Sequence, residues 1–216
     1  MTELLLIRPD DVQKGSTYRY SDQIINLLRK VDEIFVVGMG SAMSLASAAV
    51  SRATSISKVS ISEVTIDYIG APKLGIGGVF FVLCRESGID WDAKKKEMEK
   101  GMNLSFDRTG QLLVVSNNLP TERAIPMALS RIAESGCLKI SAAGTAINRE
   151  VPIALELTKG DIAKDELGIA LVVVFSTKYT RDGITVPETV MEIFITKGKK
   201  PLSKKHDLIL KLLTNG

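Results

Sequence analysis

The stretch Glu33–Met43, EIFVVGMGSAM, decides the fold, because Cys137–Ile147, CLKISAAGTAI, repeats it 104 residues further on. At that offset Ile34 falls on Leu138, Val36 on Ile140, Gly40 on Gly144, Ala42 on Ala146 and Met43 on Ile147. The register extends backwards, with Ile24, Ile25 and Leu28 over Ala128, Leu129 and Ile132. Each copy is an apolar, strand-like run, then a glycine that permits a tight turn, then a hydroxyl residue, Ser41 or Thr145, of the type that caps helices. Ala42, Ala46, Ala49 and Ala53 then share one helical face, with Ser44, Ser47 and Ser51 on another. Small inward residues let a helix lie close to a sheet, so the core unit is strand, turn, helix, present twice.

The duplication divides the 216 residues into two units of about 85 to 90 each, small enough that packing one against the other adds needed stability. The expected layout is a first repeat over 1–86, a linker with a short charged helix over 87–109, a second repeat over 110–198 and a basic tail over 199–216. A hydrophobic content of 45% with 25% charged residues is that of a soluble globular protein. No apolar run approaches the roughly 20 residues of a membrane-spanning helix. The N-terminal MTELLLIRPDD has no basic leader before its apolar run, so a cytoplasmic location is expected. Cys84 and Cys137 occupy unrelated positions in the two repeats and read as buried structural thiols, with no disulfide framework or metal site.

The net charge of +3 is unevenly spread. Residues 1–86 hold nine basic and nine acidic side chains, 87–109 five and five, and 110–198 nine and ten; the last 18 residues hold five lysines and one aspartate. Both repeats are therefore close to neutral and the tail carries the excess. A protein dedicated to coating nucleic acid would place more positive charge on its folded units.

In the first repeat a strand over Glu3–Arg8 ends at Pro9, and Ile24, Ile25, Leu27, Leu28 and Val31 fit a helix. After the duplicated core, Val59, Ile61, Val64 and Ile66 alternate with polar residues. The glycine-rich stretch 70–78 and the run Val79–Cys84 then complete a β-hairpin. The second repeat gives a strand over Leu112–Val115, a helix over Thr121–Glu134, a strand over Leu138–Ile140, a helix from Thr145 to about Lys159, and a hairpin of Leu167–Thr177 with Val190–Thr196. Pro126 and Pro152 fall inside predicted helices, where each removes a hydrogen bond and should kink or restart the helix. Trp91, in the linker, reads as an anchor rather than a base-stacking platform. In the tail, Leu208, Ile209, Leu212 and Leu213 are in helical register among lysines, able to dock on the protein, a partner or an anionic surface.

The run Ala142-Ala143-Gly144-Thr145-Ala146-Ile147-Asn148-Arg149-Glu150-Val151 resembles the central signature of the Alba family, small archaeal chromatin and RNA-binding proteins. Thr189–Lys197, TVMEIFITK, is similar to that family's last strand, and the first repeat matches through Gly40-Ser41-Ala42-Met43 and its element order. The two copies cover about four fifths of the chain. The resemblance implies an α/β fold of two tandem two-layer β-α-β-α-β-β domains, akin to the C-terminal domain of the third bacterial initiation factor. It also implies a dimer-like pairing within one chain and binding of DNA or RNA through the backbone. The lysine pair the family carries after its first strand is absent, replaced by Arg8-Pro9-Asp10 and Ser116-Asn117-Asn118. Val37 and Met39, then Ser141 and Ala143, stand where the family tends to place Lys and Arg.

The expected nucleic-acid contacts are therefore few: Lys178 and Arg181 beside Tyr179 on the second hairpin, Arg149, and the tail lysines Lys199, Lys200, Lys204 and Lys205. With about two to four phosphates neutralised, the log-log salt slope is expected near 2 to 4. A solvated surface is the competing reading for each of these cations. For catalysis no Ser, His and acid set assembles in either repeat, since His206 is the only histidine and lies in the tail. Gly38-Met39-Gly40-Ser41 resembles half of a phosphate-binding turn but lacks the rest of a dinucleotide or P-loop motif. The reading is a non-catalytic nucleic-acid binder, an intrachain pseudo-dimer without cofactor, metal or membrane insertion and with a possible protein partner for the tail. The alternative is a scaffold subunit that has lost its nucleic-acid surface, and a nucleotide-binding protein ranks below both.

Overall fold

The computed structural model describes residues 3–13, 15–70, 75–85, 89–102, 111–160, 167–181, 183–198 and 204–214. The first half runs β1 (Glu3–Ile7), α1 (Ser16–Leu28), β2 (Glu33–Met39), α2 (Met43–Ile56), β3 (Ser60–Ile69) and β4 (Ile76–Cys84). The second half runs β5 (Leu112–Val115), α4 (Thr121–Ser135), β6 (Cys137–Ala143), α5 (Ile147–Lys159), β7 (Leu167–Arg181) and β8 (Ile184–Lys197). One further helix follows each half, α3 (Trp91–Gly101) and α6 (Lys204–Thr214).

The halves form two four-stranded mixed sheets of matching order, β1-β2-β4-β3 and β5-β6-β8-β7. In each, the first two strands are parallel and the rest antiparallel. The correspondence reaches an irregularity: β3 shifts register between Ile61 and Glu63, and β7 shifts between Ile169 and Leu171, opposite Leu83 and Ile195 respectively. A bulge is a specific backbone event, so its appearance at the same place in both sheets is a strong mark of a shared plan.

The turn into each second helix shows why glycine recurs. Gly40 and Gly144 have φ of +52° and +56°, the left-handed region where a side chain is strained. Gly38 answers a different need, since a Cβ there would lie 2.5 Å from that of Ala46, so α2 rests directly on β2. The alanine face, Ala42, Ala46, Ala49 and Ala53, is fully buried against that sheet. On the serine face Ser47 and Ser51 are buried and Ser44 half-buried, and the hydroxyls of Ser51 and Ser176, in the other half, are 2.6 Å apart.

The two halves share one continuous core, in which Val36, Ala49 and Phe81 join Val151, Leu155 and Met191. Across the seam, α5 reaches the first sheet, where Leu155 lies 3.5 Å from an ideal Cβ on Gly77. Pro126 and Pro152 do not restart their helices, which continue through both. Pro126 is exposed on the outer side of α4, so the carbonyl it leaves unpaired faces solvent instead of the core.

The outer face of each sheet is covered crosswise. Helix α3, which follows the first half, lies on the second sheet, and α6, which follows the second half, lies on the first. On the first sheet Ile209 of α6 is buried against Phe35, Val37, Phe80 and Val82. On the second sheet Trp91 and Met98 of α3 pack with Val173, Phe194 and Cys137. Asp90 starts α3 by accepting the Ala93 N–H at 2.9 Å. Trp91 anchors it, donating its ring N–H to the Ile61 carbonyl at 2.8 Å. Cys84 and Cys137 are both free thiols, and burial raises that of Cys137 above its ordinary pKa.

Candidate nucleic-acid interface

The most prominent difference between the halves is the length of the final hairpin. The first hairpin's pairing ends at Ile69 with Ile76, whereas β7 and β8 continue past the corresponding pair, Thr177 with Glu188, for four more pairs up to Arg181 with Ile184. The strands are longer than the 167–177 and 190–196 read from sequence. Polar alternation beyond Thr177 lacks a core-facing pattern. In the structure Pro187 sits opposite Lys178 in a ribbon of only two strands, where its missing N–H has no third strand to meet.

This ribbon is exposed on both faces. Tyr179 is 50% exposed, Val186 45% and Ile184 66%. Cross-strand pairs share a face, so Tyr179, Val186 and Ile184 lie on one side and Lys178 with Pro187 on the other. Lys178 is exposed; for Arg181 only the backbone is described, paired with Ile184 at the outer end.

The remaining sequence-derived cations lie elsewhere. Arg149 is exposed on α5 and donates from Nη1 to the Leu119 carbonyl at 3.3 Å. Lys204 is exposed on α6. Lys205, on the same helix, pairs with the Glu33 carboxylate of β2 and so takes part in fastening α6 to the first sheet. Lys199 and Lys200 lie outside the described residues. Lys178, Arg149 and Lys204 thus stand on three different elements, β7, α5 and α6.

Near the start of α5 the two halves meet through equivalent positions. The Asn148 side chain accepts the Ser44 backbone N–H at 2.8 Å and donates to the Ser41 carbonyl at 2.9 Å, and Ser44 and Asn148 are themselves 104 residues apart. A residue touching its own counterpart is the mark of a two-fold axis. The expected capping by Ser41 and Thr145 does not occur. Short 3₁₀ turns, Gly40–Ala42 and Gly144–Ala146, precede the helices instead. Asn148 satisfies an otherwise open N–H of α2 from the other half, while Thr145 Oγ1 accepts from Asn117 at 2.8 Å.

A second polar centre fastens α6. His206 is fully buried, with Nε2 2.9 Å from Asp67 Oδ2 and Nδ1 2.8 Å from Thr65 Oγ1; Lys159 of α5 reaches Asp67 Oδ1 at 2.7 Å. Burial alone would raise the Asp67 carboxyl, but hydrogen bonds from His206 and Lys159, with the Lys159 charge and the Tyr68 N–H, hold it below its ordinary value. The ionised carboxylate accepts, which assigns the Nε2 proton to His206. Thr65, His206 and Asp67 thus stand in the order of a hydrolase relay, assembled between the first half and the tail. The ring is fully buried, so a substrate has no access to it, and because His206 belongs to α6, displacing that helix takes the set apart. Sequence reading missed this set because its members lie 139 and 141 residues apart.

Among the described residues no group of His, Cys, Asp and Glu side chains is arranged to hold a metal ion, and no helix is long and apolar enough to cross a membrane. No protein-family model matches the chain, and no curated protein matches it in sequence.

Proposed function

We propose that the chain binds DNA or RNA without catalysing a reaction on it, as a tandem Alba-like pseudo-dimer whose β7–β8 ribbon is the main contact. The observation that carries this reading is the ribbon itself: two strands, unsupported by the sheet, solvent-exposed on both faces and bearing Lys178 and Tyr179. A two-stranded ribbon has the width that a nucleic-acid groove admits. An isolated ribbon of this kind is costly to keep exposed unless something covers it. Residues 176–189 hold two basic and two acidic side chains, so backbone attraction is weak and the salt slope shallow.

The test is a polarisation titration with duplex and single-stranded oligonucleotides at low and moderate salt. The intact protein is expected to bind at low salt with a slope near 2 to 4, and Lys178→Ala with Arg181→Ala to reduce that slope by about 1 to 2. Unchanged binding in the double variant would remove the ribbon from the reading. Absence of binding at low salt would hand the decision to the scaffold reading, which the exposed apolar face of Tyr179, Ile184 and Val186 favours as a protein contact.

A further inference from the structure

The seam between the halves has two sides related by the pseudo-two-fold axis, and they are built differently. Helices α2 and α5 correspond at an offset of 104, while β3 and β7 correspond at 108, since Asp67 opposite Gly78 matches Phe175 opposite Val190. On one side Lys159, Asp67 and Tyr68, with His206 from α6, fill the space. On the other, their counterparts are Ser55, Phe175 and Ser176, and the space is open as a pocket of about 300 Å³.

Three layers of chemistry line this pocket. Val59, Ile61 and Val174 supply an apolar floor. Trp91 and Phe175 supply aromatic rings, with Lys94 Nζ 5.1 Å from the Trp91 ring centre and Lys95 Nζ 4.6 Å from that of Phe175. Ser51, Thr54, Ser55, Ser60 and Ser176 supply hydroxyls. Lys95 is held by Glu192 at 2.9 Å, whereas Lys94 is exposed at the rim. Among the described residues that line the pocket there is no carboxylate.

We infer that this pocket takes one unpaired ribonucleoside unit, its base against Trp91 and Phe175, its sugar among the hydroxyls and its phosphate toward Lys94. The inference rests on the nucleic-acid reading above and narrows it from either nucleic acid to single-stranded RNA. Trp91 anchors α3 through its ring N–H yet stays half-buried at the pocket, so the anchor expected from sequence also offers ring surface, and aromatic rings accept any base by its flat face. The Thr54 and Ser55 hydroxyls donate to the Ser51 and Arg52 carbonyls and keep lone pairs that can accept from a ribose 2′-OH, the group that separates RNA from DNA. In the Ser51–Ser176 pair one hydroxyl keeps a proton to donate. The volume is at the small end of ligand pockets, about 300 to 1,000 Å³, which suits one nucleoside and excludes a duplex. Position agrees with chemistry: Ser176 in the pocket is two residues from Lys178, so a strand lying on the ribbon leads to the opening.

Trp91 is the only tryptophan, which makes its fluorescence a direct report on the pocket. The experiment titrates the full chain with single-stranded RNA, single-stranded DNA of the same sequence, duplex DNA and ribonucleoside monophosphates, reading Trp91 emission and oligonucleotide polarisation together. RNA is expected to quench Trp91 and to bind roughly tenfold tighter than the DNA strand, the worth of one or two hydrogen bonds. Ser55→Leu, which narrows the exposed rim, and Ser60→Ala, which removes a lining hydroxyl outside the ribbon, are expected to abolish that preference while leaving polarisation with duplex unchanged. RNA binding with Trp91 unmoved, or a preference that survives both variants, overturns the pocket and leaves the nucleic-acid reading standing. Quenching by monophosphates with no strand bound under any condition supports the pocket and removes the nucleic-acid reading.

Discussion

The first and second sheets share strand order, register and even the position of a bulge, yet among the described residues only the second buries charges on the outer face of its two central strands. In the first sheet Val37 lies opposite Phe80 and Phe35 opposite Val82; at the same places in the second, Ser141 lies opposite Glu192 and Lys139 opposite Phe194. Phe35 and Phe80 are fully buried under α6. Lys139 and Glu192 are also buried, 4% and 7% exposed, and α3 brings the complement: Glu99 at 2.9 Å from Lys139, with Lys95 at 2.9 Å from Glu192. Lys139 and Glu192 are 3.5 Å apart.

This contrast teaches that the fold is set by the inner faces, which agree, and that the outer faces act as addresses for the trailing helices. Placing α6 on the second sheet would bury Lys139 and Glu192 under Ile209 and leucines with no partner for either charge. Placing α3 on the first would bury Glu99 against phenylalanines. An uncompensated buried charge costs several kcal/mol, enough to direct each helix to the other half's sheet.

The largest effect expected on this contrast is at Phe80. Phe80→Ala removes a fully buried ring that also meets His206 edge-on, with centroids 4.7 Å apart, and should destabilise by about 3–5 kcal/mol in urea unfolding. Protection of the α6 amides from hydrogen exchange should fall with it. Next comes Lys139→Met, which removes the cation shared by Glu99 and Glu192 and should cost about 3 kcal/mol. Replacing Lys139, Glu99 and Glu192 together by Met and Leu should recover most of that loss. A triple variant no better than the single one would show that the charges, not merely their burial, hold α3.

The smallest effects separate two carboxyls of opposite behaviour. Glu150 occupies the position of Ala46 in the other half, fully buried, with neither oxygen hydrogen-bonded. Burial, with a minor push from the Glu192 charge, raises its pKa well above the ordinary value. Its folded form therefore prefers the proton, and stability is full below the ordinary Glu range and declines as pH rises through the raised value. Glu150→Gln should leave stability at pH 4 unchanged and raise it at pH 8 by about 1–3 kcal/mol. Asp67 has the reverse sign: its lowered pKa contributes stability above the ordinary Asp range, lost as pH falls through the lowered value. Measured against the unaltered chain, the melting temperatures of Glu150→Gln and Asp67→Asn should change with pH in opposite directions.

Much of this architecture was legible in the chain because one offset runs unbroken through strand, turn and helix, where every residue is constrained by a sheet it touches. Beyond α2 the offset drifts from 104 to 108 and then 112, as Phe80 opposite Val37 and Glu192 opposite Ser141 make plain, and the pattern fades as loops change length. The ribbon's length was hidden because exposed strands carry no periodic apolar signal. Burial of Lys139 and the partners of His206 were hidden for another reason: both depend on which helix covers which sheet, a matter of pairings between residues 40 and 139 positions apart. The candidate cations were visible as residues, but nothing in the sequence told that Lys205 would be engaged by Glu33.

The bond from Asn148 to the Ser44 amide has an implication for how such a molecule can change. When two identical chains associate, one codon specifies both sides of the axis, so any alteration there is made twice and must suit itself. Here the facing positions are inherited separately, and asparagine can meet serine. The open seam and the filled one are the kind of divergence that only this freedom allows.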